Sequence, residues 1–284
     1  MRKKINTLVR KSLTVPLEFG ERRLDYVISF FTDLSRKEAK EIVENGLVLM
    51  NDRRITFPST KVKKGDRIII LETEKTSTLP EPAILCEDDH IIVVNKPSGF
   101  LSEQTGKEKG VALSRILENK GKVVFPVHRL DRETSGVMIF AKTVKARDFL
   151  VEEFRDRKIN KTYIGIVEGI LRQKNGILKG KIQKTNEYAE THYEVTKILK
   201  GATLLKLVPK TGRTHQLRLQ LAQIGHPVIG DKKYYNLKRT RFFFQRQALH
   251  SYKISFVHPE TKRWVAFTAP IPDDMKKLID RLSC

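Results

Sequence analysis

The sequence predicts an α+β fold, in which a mixed and largely antiparallel sheet forms most of the molecule. Short runs of β-branched and aromatic residues, typical of buried strands, occupy residues 91–94, 163–168 and 203–208. Apolar residues have helical spacing at residues 146–154. Because strands outnumber helices and do not alternate with them in regular βαβ units, we expect a largely antiparallel sheet with a few helices.

The composition indicates a protein that binds a polyanion. The chain has 284 residues, with 55 Lys and Arg against 33 Asp and Glu, and a formal net charge of +22 at pH 7. Such an excess of positive charge favours RNA, DNA or an anionic membrane surface as the partner. No apolar run is long enough to span a bilayer, and no apolar core follows the basic N-terminus as it would in a secretory signal.

The two cysteines, Cys86 and Cys284, favour a reducing compartment. Neither lies in a cluster of the kind that forms a disulfide framework or a zinc site. We therefore expect a cytoplasmic protein with no membrane-spanning segment.

Two domains are expected, residues 1–78 and residues 79–284. The stretch between them, residues 74–82, is polar, lacks periodicity and ends in two prolines, which is typical of a linker. Residues 1–80 carry 17 Lys and Arg against 11 Asp and Glu, and the rest of the chain carries 38 against 22. Since both parts are basic, both are expected to contact the same polyanion.

The first domain is predicted to be a small α/β unit. A helical pattern begins at residues 22–28, and the pair Ser35 and Glu38 has the spacing of a capping box for a second helix. Two short strands are predicted at residues 47–52 and 67–71.

The most informative motif is HRLDRETSG at residues 128–136. It lies between two apolar runs, residues 123–127 and 137–141, which predict buried strands. Loops held by a rigid element at each end are where proteins commonly present reactive groups. Within this loop, Asp131 lies between two arginines, and nearby guanidinium groups favour the ionised form of a carboxyl group.

Further motifs accompany this loop in a fixed order. They are NKPSG at residues 95–99, KTY at 161–163, TGRTHQLR at 211–218, GHPVIGD at 225–231 and QALH at 247–250. In order and wording, the motifs resemble those of pseudouridine synthases of the large-subunit ribosomal RNA type, the RluA family. The resemblance covers roughly residues 84–270 and is specific because several motifs agree at once.

The resemblance implies an isomerase that acts on uridines in structured RNA, with a pseudouridine synthase fold whose active cleft runs across the sheet. It implies that Asp131 is the catalytic residue and that Tyr163 lies against the target base. The tyrosine could stack on the base or take part in proton transfer, and the sequence leaves both roles open. It also assigns the ion-pairing arginine to the end of the TGRTHQLR motif, which is Arg218.

The chemistry of such a reaction explains the need for a carboxylate. Isomerisation breaks the bond between C1′ and N1 of uridine and joins C1′ to C5, with no redox change and no group donor, so no cofactor is expected. Glycosidases use carboxylates at an oxocarbenium-like carbon for the same physical reason. A nearby guanidinium must keep the carboxylate charged. Arg218 is the first candidate for this guanidinium, and Arg213 is the second.

The surroundings of Arg218 are also predicted. Leucines at positions 217, 219 and 221 indicate burial around it, and helical spacing would place Thr214 and Arg218 on one face. His128 and His215 lack the spacing and the carboxylate partners of a metal site, so no metal is expected.

Several polar side chains are expected to contact RNA. Arg129 precedes Asp131 by two residues and could enter the space that the target base leaves when it is flipped out of its stack. The expected RNA contacts of the second domain are His128, Arg129, Arg213, Thr214, His215 and Gln216. Residues 238–246 mix cations with aromatic residues, as in a nucleic-acid surface or a basic loop before a core strand.

The first domain resembles the S-four-type (alpha-L) RNA-binding domain, named after a small-subunit ribosomal protein. The matching residues are Arg23, Leu24, Asp25, Ser35, Arg36, Gly46, Leu47, Val48, Asn51, Gly65 and Asp66. The resemblance implies that Arg23 and Arg36 contact RNA phosphates.

Alternative functions remain open on the sequence alone. Large-subunit ribosomal RNA is the first expectation for the substrate, and transfer RNA is the second. A non-catalytic RNA-binding protein of ribosome assembly would be favoured if Asp131, Tyr163 or Arg218 were missing, and all three are present. A glycosidase-like hydrolase would need a second carboxylic acid, and only Glu133 lies close in the sequence. The protein is expected to be a monomer.

Overall fold

The computed structural model describes residues 8–44, 46–72, 81–104, 110–182, 186–235, 242 and 244–283. The chain forms two compact units, Met1–Thr78 and Leu79–Cys284. Most of the linker expected at residues 74–82, most of residues 238–246, and Cys284 lie outside the described residues.

The first unit combines strands and short helices. Its elements in chain order are β1 (Leu8–Thr14), a 3-10 helix (Leu17–Phe19), α1 (Leu24–Phe31), α2 (Arg36–Glu44), β2 (Val48–Met50), β3 (Arg53–Ile55) and β4 (Arg67–Glu72). The strands form an antiparallel sheet in the order β1-β4-β2-β3.

Both helices predicted in the first unit are present. The capping box forms, because Glu38 Oε2 accepts a hydrogen bond from the Ser35 amide at 2.8 Å and Ser35 Oγ accepts one from the Glu38 amide at 3.3 Å. α1 buries Leu24 and Ile28 completely in the core that it shares with the sheet. β1 and β3 were not predicted, since lysine and arginine interrupt their apolar pattern.

The second unit is larger and is built on one sheet. Its strands are β5 (Ala83–Glu87), β6 (Ile91–Lys96), β7 (Phe125–Pro126), β8 (Ser135–Ala141), β9 (Asn160–Glu168), β10 (Asn175–Lys181), β11 (Tyr188–Leu199), β12 (Ala202–Pro209), β13 (Leu249–Val257) and β14 (Trp264–Thr268). Its helices are α3 (Leu113–Asn119), α4 (Val144–Arg155), α5 (Gln216–Gln223) and α6 (Asp273–Ser283).

The strand order confirms the predicted fold class. The main path is β10-β11-β12-β9-β13-β8-β6-β5, with β14 on β13 and β7 on β8. Within the described residues, β13 and β8 are the only parallel pair, and the other neighbours are antiparallel. Separate apolar clusters lie on the sheet, one of which includes α6 and α5 residues and another α4 residues. The sheet is therefore mixed and largely antiparallel.

The register of β13 brings two distant motifs together. Ser251 lies opposite Gly136 of β8 on one side and opposite Tyr163 of β9 on the other. Gly136 is the last residue of the HRLDRETSG motif, and Tyr163 is the last residue of the KTY motif. The sheet thus places the loop that carries Asp131 beside Tyr163, although they are far apart in sequence.

In the part of the chain that the structure describes, no helix has the length and apolar character needed to cross a bilayer.

Gly136 is required by this close approach of β8 to β13. Its φ is +118°, a conformation that residues with a Cβ rarely adopt. A Cβ at this position would lie 2.1 Å from the carbonyl oxygen of Ser251, which is backbone and cannot rotate away. Gly225 also has a positive φ, +79°, but a Cβ there would meet no atom within 4 Å.

We expect Gly136→Ala to lower the free energy of unfolding of the second unit by about 3–5 kcal/mol, because strain and a backbone clash combine. The matched control Gly225→Ala should cost only about 1–2 kcal/mol, since it has the strain without the clash. Urea unfolding can be followed by the fluorescence of Trp264, the single tryptophan of the chain. Equal losses in the two variants would contradict the close approach.

Candidate active site

The loop between β7 and β8 holds Asp131 at the surface of the sheet. The hydroxyl of Ser102 donates to the carbonyl of Leu130 and accepts from its amide, both at 2.9 Å. The Thr134 amide donates to the carbonyl of Asp131 at 3.0 Å. The backbone of Asp131 is thus held on both sides. Its side chain is 24% exposed and lines a cleft.

Arg218 of α5 binds two carboxylates at once. Its Nη1 donates to Asp131 Oδ2 at 2.9 Å, while its Nε and Nη2 donate to the two oxygens of Asp231 at 2.6 and 2.9 Å. The arginine is 7% exposed and Asp231 is fully buried. Burial opposes the charge of Arg218, but hydrogen bonds to both aspartates outweigh it and raise the pKa of the guanidinium.

Arg213, the alternative partner of Asp131, lies elsewhere. Its Nη1 pairs with Glu187 Oε1 at 2.8 Å, and its Nε approaches the carbonyl of Tyr188 at 3.5 Å. Arg213 still lines the cleft. Arg218 is therefore the ion-pair partner of Asp131, and Arg213 is a cation that lines the cleft.

Asp231 is a site residue that the sequence did not single out. Besides Arg218, it accepts hydrogen bonds from the amides of Lys233 at 2.9 Å and Tyr234 at 3.1 Å. Burial tends to raise the pKa of Asp231, but the bonds from Arg218 and from the two amides keep it below its usual range. Its position at the end of the GHPVIGD motif was the available signal.

His215 and Tyr234 complete the surroundings of the aspartate. His215 Nδ1 and the hydroxyl of Tyr234 are 2.8 Å apart, and His215 Nε2 lies 3.8 Å from Asp131 Oδ1. The ring of Tyr234 faces the guanidinium carbon of Arg218 at 5.1 Å. Burial lowers the pKa of His215, although Asp131 opposes this effect. A largely neutral histidine is a hydrogen-bonding group here rather than a cation for phosphate.

Tyr163 forms part of the cleft wall near the centre of the sheet. Its ring packs beside two apolar clusters, and its register partner across β9 and β12 is Leu207. Burial raises the pKa of the Tyr163 phenol to about 12, with Asp131 adding to the effect. The hydroxyl is therefore protonated at neutral pH.

The cleft has a volume of about 480 Å³ and runs along Asp131. Apolar and aromatic side chains line part of it, among them Val127, Tyr163, Leu217 and Leu249. Seven lysine and arginine side chains also line it: Arg129, Arg155, Arg157, Lys161, Lys210, Arg213 and Arg218. Among the described residues that line it, Asp131 is the only acidic one. A second cleft of about 370 Å³ also meets Asp131 and is lined by further cations, Arg132, Lys232 and Lys233.

The helix that carries Arg218 begins later than predicted. α5 starts at Gln216, and His215 before it has a left-handed backbone with φ of +55°. Thr214 is therefore outside the helix and does not share a face with Arg218, contrary to the prediction from spacing. The left-handed residue breaks the helical path, which spacing alone cannot show.

Gln216 has a structural position. Its Oε1 accepts from the Thr211 hydroxyl at 2.6 Å and from the Arg213 amide at 3.0 Å, while its Nε2 donates to the carbonyl of Glu190 and the hydroxyl of Thr191. The side chain is buried with all its polar atoms engaged. Gln216 therefore has no polar atom left for RNA in this arrangement, whereas Thr214 is exposed, and its contact with RNA stays a prediction.

His128 likewise supports the loop. Its Nε2 accepts a hydrogen bond from the Ile139 amide at 3.0 Å, and its ring stacks on Phe154. Burial, with Lys161 nearby, lowers the pKa of His128 to about 3. The neutral ring supports the loop through this bond, and because His128 also lines the cleft, its contact with RNA stays a prediction.

Lys96 is a second residue that the sequence did not identify. It is fully buried, and its Nζ donates to the carbonyls of Pro97, Arg132 and Thr134 at 3.2, 3.0 and 2.8 Å. Burial lowers the pKa of Lys96 to about 7, partly offset by Asp131. Two of these carbonyls belong to the loop that follows Asp131, so Lys96 ties the loop to β6.

The remaining expected contacts are accessible. Arg129 is exposed and lines both clefts. In the first unit, Arg23 pairs with Asp25 at 2.7 Å and is about half exposed, and Arg36 is exposed. Nowhere in the described ranges do three or more His, Cys, Asp or Glu side chains form a group that could hold a metal ion.

Sequence comparison identifies the family of this chain. The pattern of the family described as RNA pseudouridylate synthase matches residues 90–223. Ribosomal large subunit pseudouridine synthase D of Vibrio cholerae is 35% identical to this chain over 295 residues, which cover 92% of this chain and 91% of that protein. The chain belongs to the RNA pseudouridylate synthase family. It is thus an isomerase that converts uridine to pseudouridine in RNA.

Other relatives of this synthase carry the same description. The protein of Neisseria meningitidis serogroup A is 34% identical over 96% of this chain and 82% of its own length. That of Haemophilus influenzae is 33% identical over 94% of this chain and 93% of its own length. In the first unit, the pattern of the S4 domain matches residues 22–68.

Solved structures show the same fold. The protein described as Human RNA Pseudouridylate Synthase Domain Containing 4 superposes with a TM-score of 0.62 at 23% identity, covering 70% of this chain and 92% of that one. Its relative Domain Containing 1 gives a TM-score of 0.57 at 20% identity, covering 72% and 96%.

We expect Asp231→Asn to lower the single-turnover rate constant of the synthase about 10- to 100-fold, because Arg218 loses its buried anchor and Asp131 its fixed orientation. The Kd for RNA should stay within about threefold, since binding rests mainly on phosphate contacts. Both quantities can be measured on one labelled stem-loop.

The control for this prediction is Glu87→Gln. Glu87 also pairs with two cations, Lys122 at 2.8 Å and Lys142 at 3.0 Å, but it does not line either cleft. Its loss should leave the rate constant unchanged. An Asp231→Asn enzyme as fast as the wild type would show that Arg218 does not depend on Asp231.

Proposed function

We propose that this synthase modifies uridines of large-subunit ribosomal RNA and that Asp131 is its catalytic carboxylate. The observation that carries the assignment is the carboxylate of Asp131, which Arg218 holds at 2.9 Å in a cleft that Tyr163 also lines. An anion at that place can stabilise positive charge that develops on C1′ of a ribose.

The proposed reaction takes place within the cleft without loss of the base. Asp131 acts at C1′ as the bond to N1 breaks, either by forming a bond to this carbon or by stabilising its charge. The detached uracil stays against the wall at Tyr163 and turns until C5 faces C1′. The new bond joins C1′ to C5, and any bond between Asp131 and C1′ breaks in the same step to restore the carboxylate. The hydrogen of C5 leaves as a proton, and N1 gains a proton. No electron acceptor or group donor is required.

Tyr163 is proposed to hold the base by its ring. Because the pKa of its phenol is about 12, the hydroxyl is protonated at neutral pH. The ring lies in the apolar wall with Leu249 and Val127, where a planar base can pack.

The target uridine must leave its stack to reach Asp131, which costs a few kcal/mol. Arg129 is proposed to fill the space that the base leaves, since it is exposed, precedes Asp131 by two residues and lines both clefts. Phosphate contacts by cations such as Arg213 and Lys210 would offset the cost of flipping.

The composition of the cleft argues against glycoside hydrolysis. A glycosidase needs a second carboxyl group to protonate the leaving group. Asp131 is the only acidic side chain among the described residues that line the larger cleft, which Tyr163 also lines. Glu103 and Glu133 lie with Asp131 along the second cleft only, where Tyr163 is not among the lining residues. A base that stays bound needs no such acid, which fits an isomerase.

We further propose a division of labour between residues 1–78, which bind RNA, and residues 79–284, which catalyse the reaction. The S4 match and the basic charge of the first domain support the first role. Arg23 and Arg36 are its proposed phosphate contacts, because both reach the surface.

The choice of ribosomal RNA rests on the relatives named above. We propose that the protein works as a monomer in the cytoplasm, where ribosomes are assembled. Mapping pseudouridines in large-subunit ribosomal RNA and in transfer RNA, with and without the gene, tests the substrate. Loss of sites from transfer RNA alone would replace the ribosomal assignment.

Asp131→Asn should abolish isomerisation while RNA affinity stays within about threefold, because one carboxylate carries the reaction and many phosphate contacts carry binding. Tritium release from RNA labelled at C5 of uridine measures turnover, and free uracil is assayed in parallel. Asp148→Asn, an exposed aspartate on α4, is the control and should remain active. Measurable turnover by Asp131→Asn, or uracil release by the wild type, would refute the proposed chemistry.

Deleting residues 1–78 should leave a folded and active second domain that binds RNA more weakly. The slope of log K against log salt should become shallower, since the lost phosphate contacts no longer release counterions. Selectivity for the natural site should fall more than the rate on a short stem-loop. Unchanged affinity, slope and site choice would show that the first domain does not bind RNA in this protein.

A further inference from the structure

The first unit carries a patch of aromatic rings, formed by Phe19, Tyr26, Phe30 and Phe31. The ring of Phe19 lies 4.7 Å from that of Phe30, 4.9 Å from Phe31 and 6.4 Å from Tyr26, measured between centroids. Phe30 lies 5.2 Å from Phe31 and 6.4 Å from Tyr26. The four residues therefore form one continuous group, which we call the ring patch.

Two rings of the ring patch, Tyr26 and Phe30, are exposed, whereas Phe19 and Phe31 are partly buried against the core. α1 already buries one face, with Leu24, Val27 and Ile28 fully covered. Tyr26 and Phe30, four residues apart on the other side of the helix, are 37% and 61% exposed. An exposed apolar group with a polar rim marks a binding surface more often than a structural feature, because leaving it in water contributes nothing to folding.

Cations surround the ring patch. The guanidinium carbons of Arg22 and Arg36 lie 6.0 and 5.9 Å from the centre of the Tyr26 ring. Lys11 Nζ donates to the carbonyl of Phe31. The patch therefore offers flat rings and positive charge side by side.

We propose that the ring patch is a stacking site for an unpaired nucleobase of the RNA substrate. Every base has a flat face that stacks on an aromatic ring, and the phosphates next to it would meet Arg22 and Arg36. Bases in loops and bulges can turn outward to stack in this way, whereas paired bases cannot. The rim of cations favours this polyanion over an apolar protein surface. The proposal rests on RNA binding by the first domain, and it adds a preference for unpaired nucleotides.

The site would make the first domain selective for RNA shape. Phosphate contacts alone hold any RNA, and they lose strength uniformly as salt rises. A stacking contact adds affinity only where a base is free to leave the helix. An RNA with an unpaired nucleotide in reach of the ring patch would then bind more tightly than a fully paired one.

The test uses the full chain and two hairpin RNAs without uridine, so that neither presents a target to the catalytic cleft. One hairpin carries a single unpaired 2-aminopurine, whose fluorescence falls when it stacks on an aromatic ring. The other carries the same base paired with 5-methyluridine, whose C5 bears a methyl group in place of the hydrogen that isomerisation must release. For the double variant Tyr26→Leu with Phe30→Leu, we expect binding of the first hairpin to weaken between about fivefold and a hundredfold, with loss of the quenching. Binding of the paired hairpin should change by less than about twofold.

Three sets of controls accompany this variant. Tyr26→Phe and Phe30→Tyr retain the rings and should bind as the wild type does, and circular dichroism confirms that each variant is folded. Trp264→Leu removes an exposed aromatic ring of the other unit and should have no effect. Arg22→Gln with Arg36→Gln should weaken both hairpins and reduce the salt slope, whereas the leucine variant should leave the slope unchanged.

Unchanged binding of the first hairpin by the leucine variant would overturn the stacking site, and so would equal weakening on both hairpins. If the arginine variant still weakens both RNAs, the domain binds RNA but not by stacking. If neither variant affects RNA, the RNA-binding role of the domain itself fails. Changed sedimentation of the leucine variant with unchanged RNA binding would identify the ring patch as a protein interface instead.

Discussion

The active site depends on one guanidinium that is held between two carboxylates. A buried charge is tolerated only when its partners and hydrogen bonds replace the water that it loses. Arg218 meets this condition through the fully buried Asp231, which takes two of its donors, and through Asp131, which takes a third. The two carboxylates have different exposure, so one can anchor the arginine while the other, at the edge of the cleft, is free to face a substrate.

The rest of the second unit keeps Asp131 opposite Arg218. Lys96 ties the backbone after the aspartate to β6, and Ser102 holds the residue before it. Gly136 allows β8 to approach β13, and the same register places Tyr163 beside the loop. Lys96 and Ser102 bind backbone groups of the loop, so these contacts leave the carboxylate of Asp131 available.

Residues that lie in motifs rich in polar side chains could be named from the sequence. Contacts between a side chain and backbone groups far away in the chain could not. Asp131 and Arg218 could be found because each lies in a dense motif. Lys96 lies in the NKPSG motif, but its role could not be found, since two of its three partners are carbonyl groups 36 and 38 residues away. The prediction that Thr214 and Arg218 share one face of a helix was wrong. The left-handed backbone of His215 interrupts the helix, and the spacing of side chains gives no sign of it. In the first unit, the capping box could be predicted because both of its hydrogen bonds join residues only three positions apart in the sequence.

The anchoring of Arg218 can be observed directly by the exchange of its Nε hydrogen with water in NMR spectra, with the signal assigned by its absence in Arg218→Lys. Because this hydrogen is donated to the buried Asp231 at 2.6 Å, we expect slow exchange in the wild type and in Asp131→Asn, and fast exchange in Asp231→Asn. Fast exchange in the wild-type protein would contradict the account, since it would mean that Arg218 is not held and cannot orient the carboxylate proposed to be catalytic.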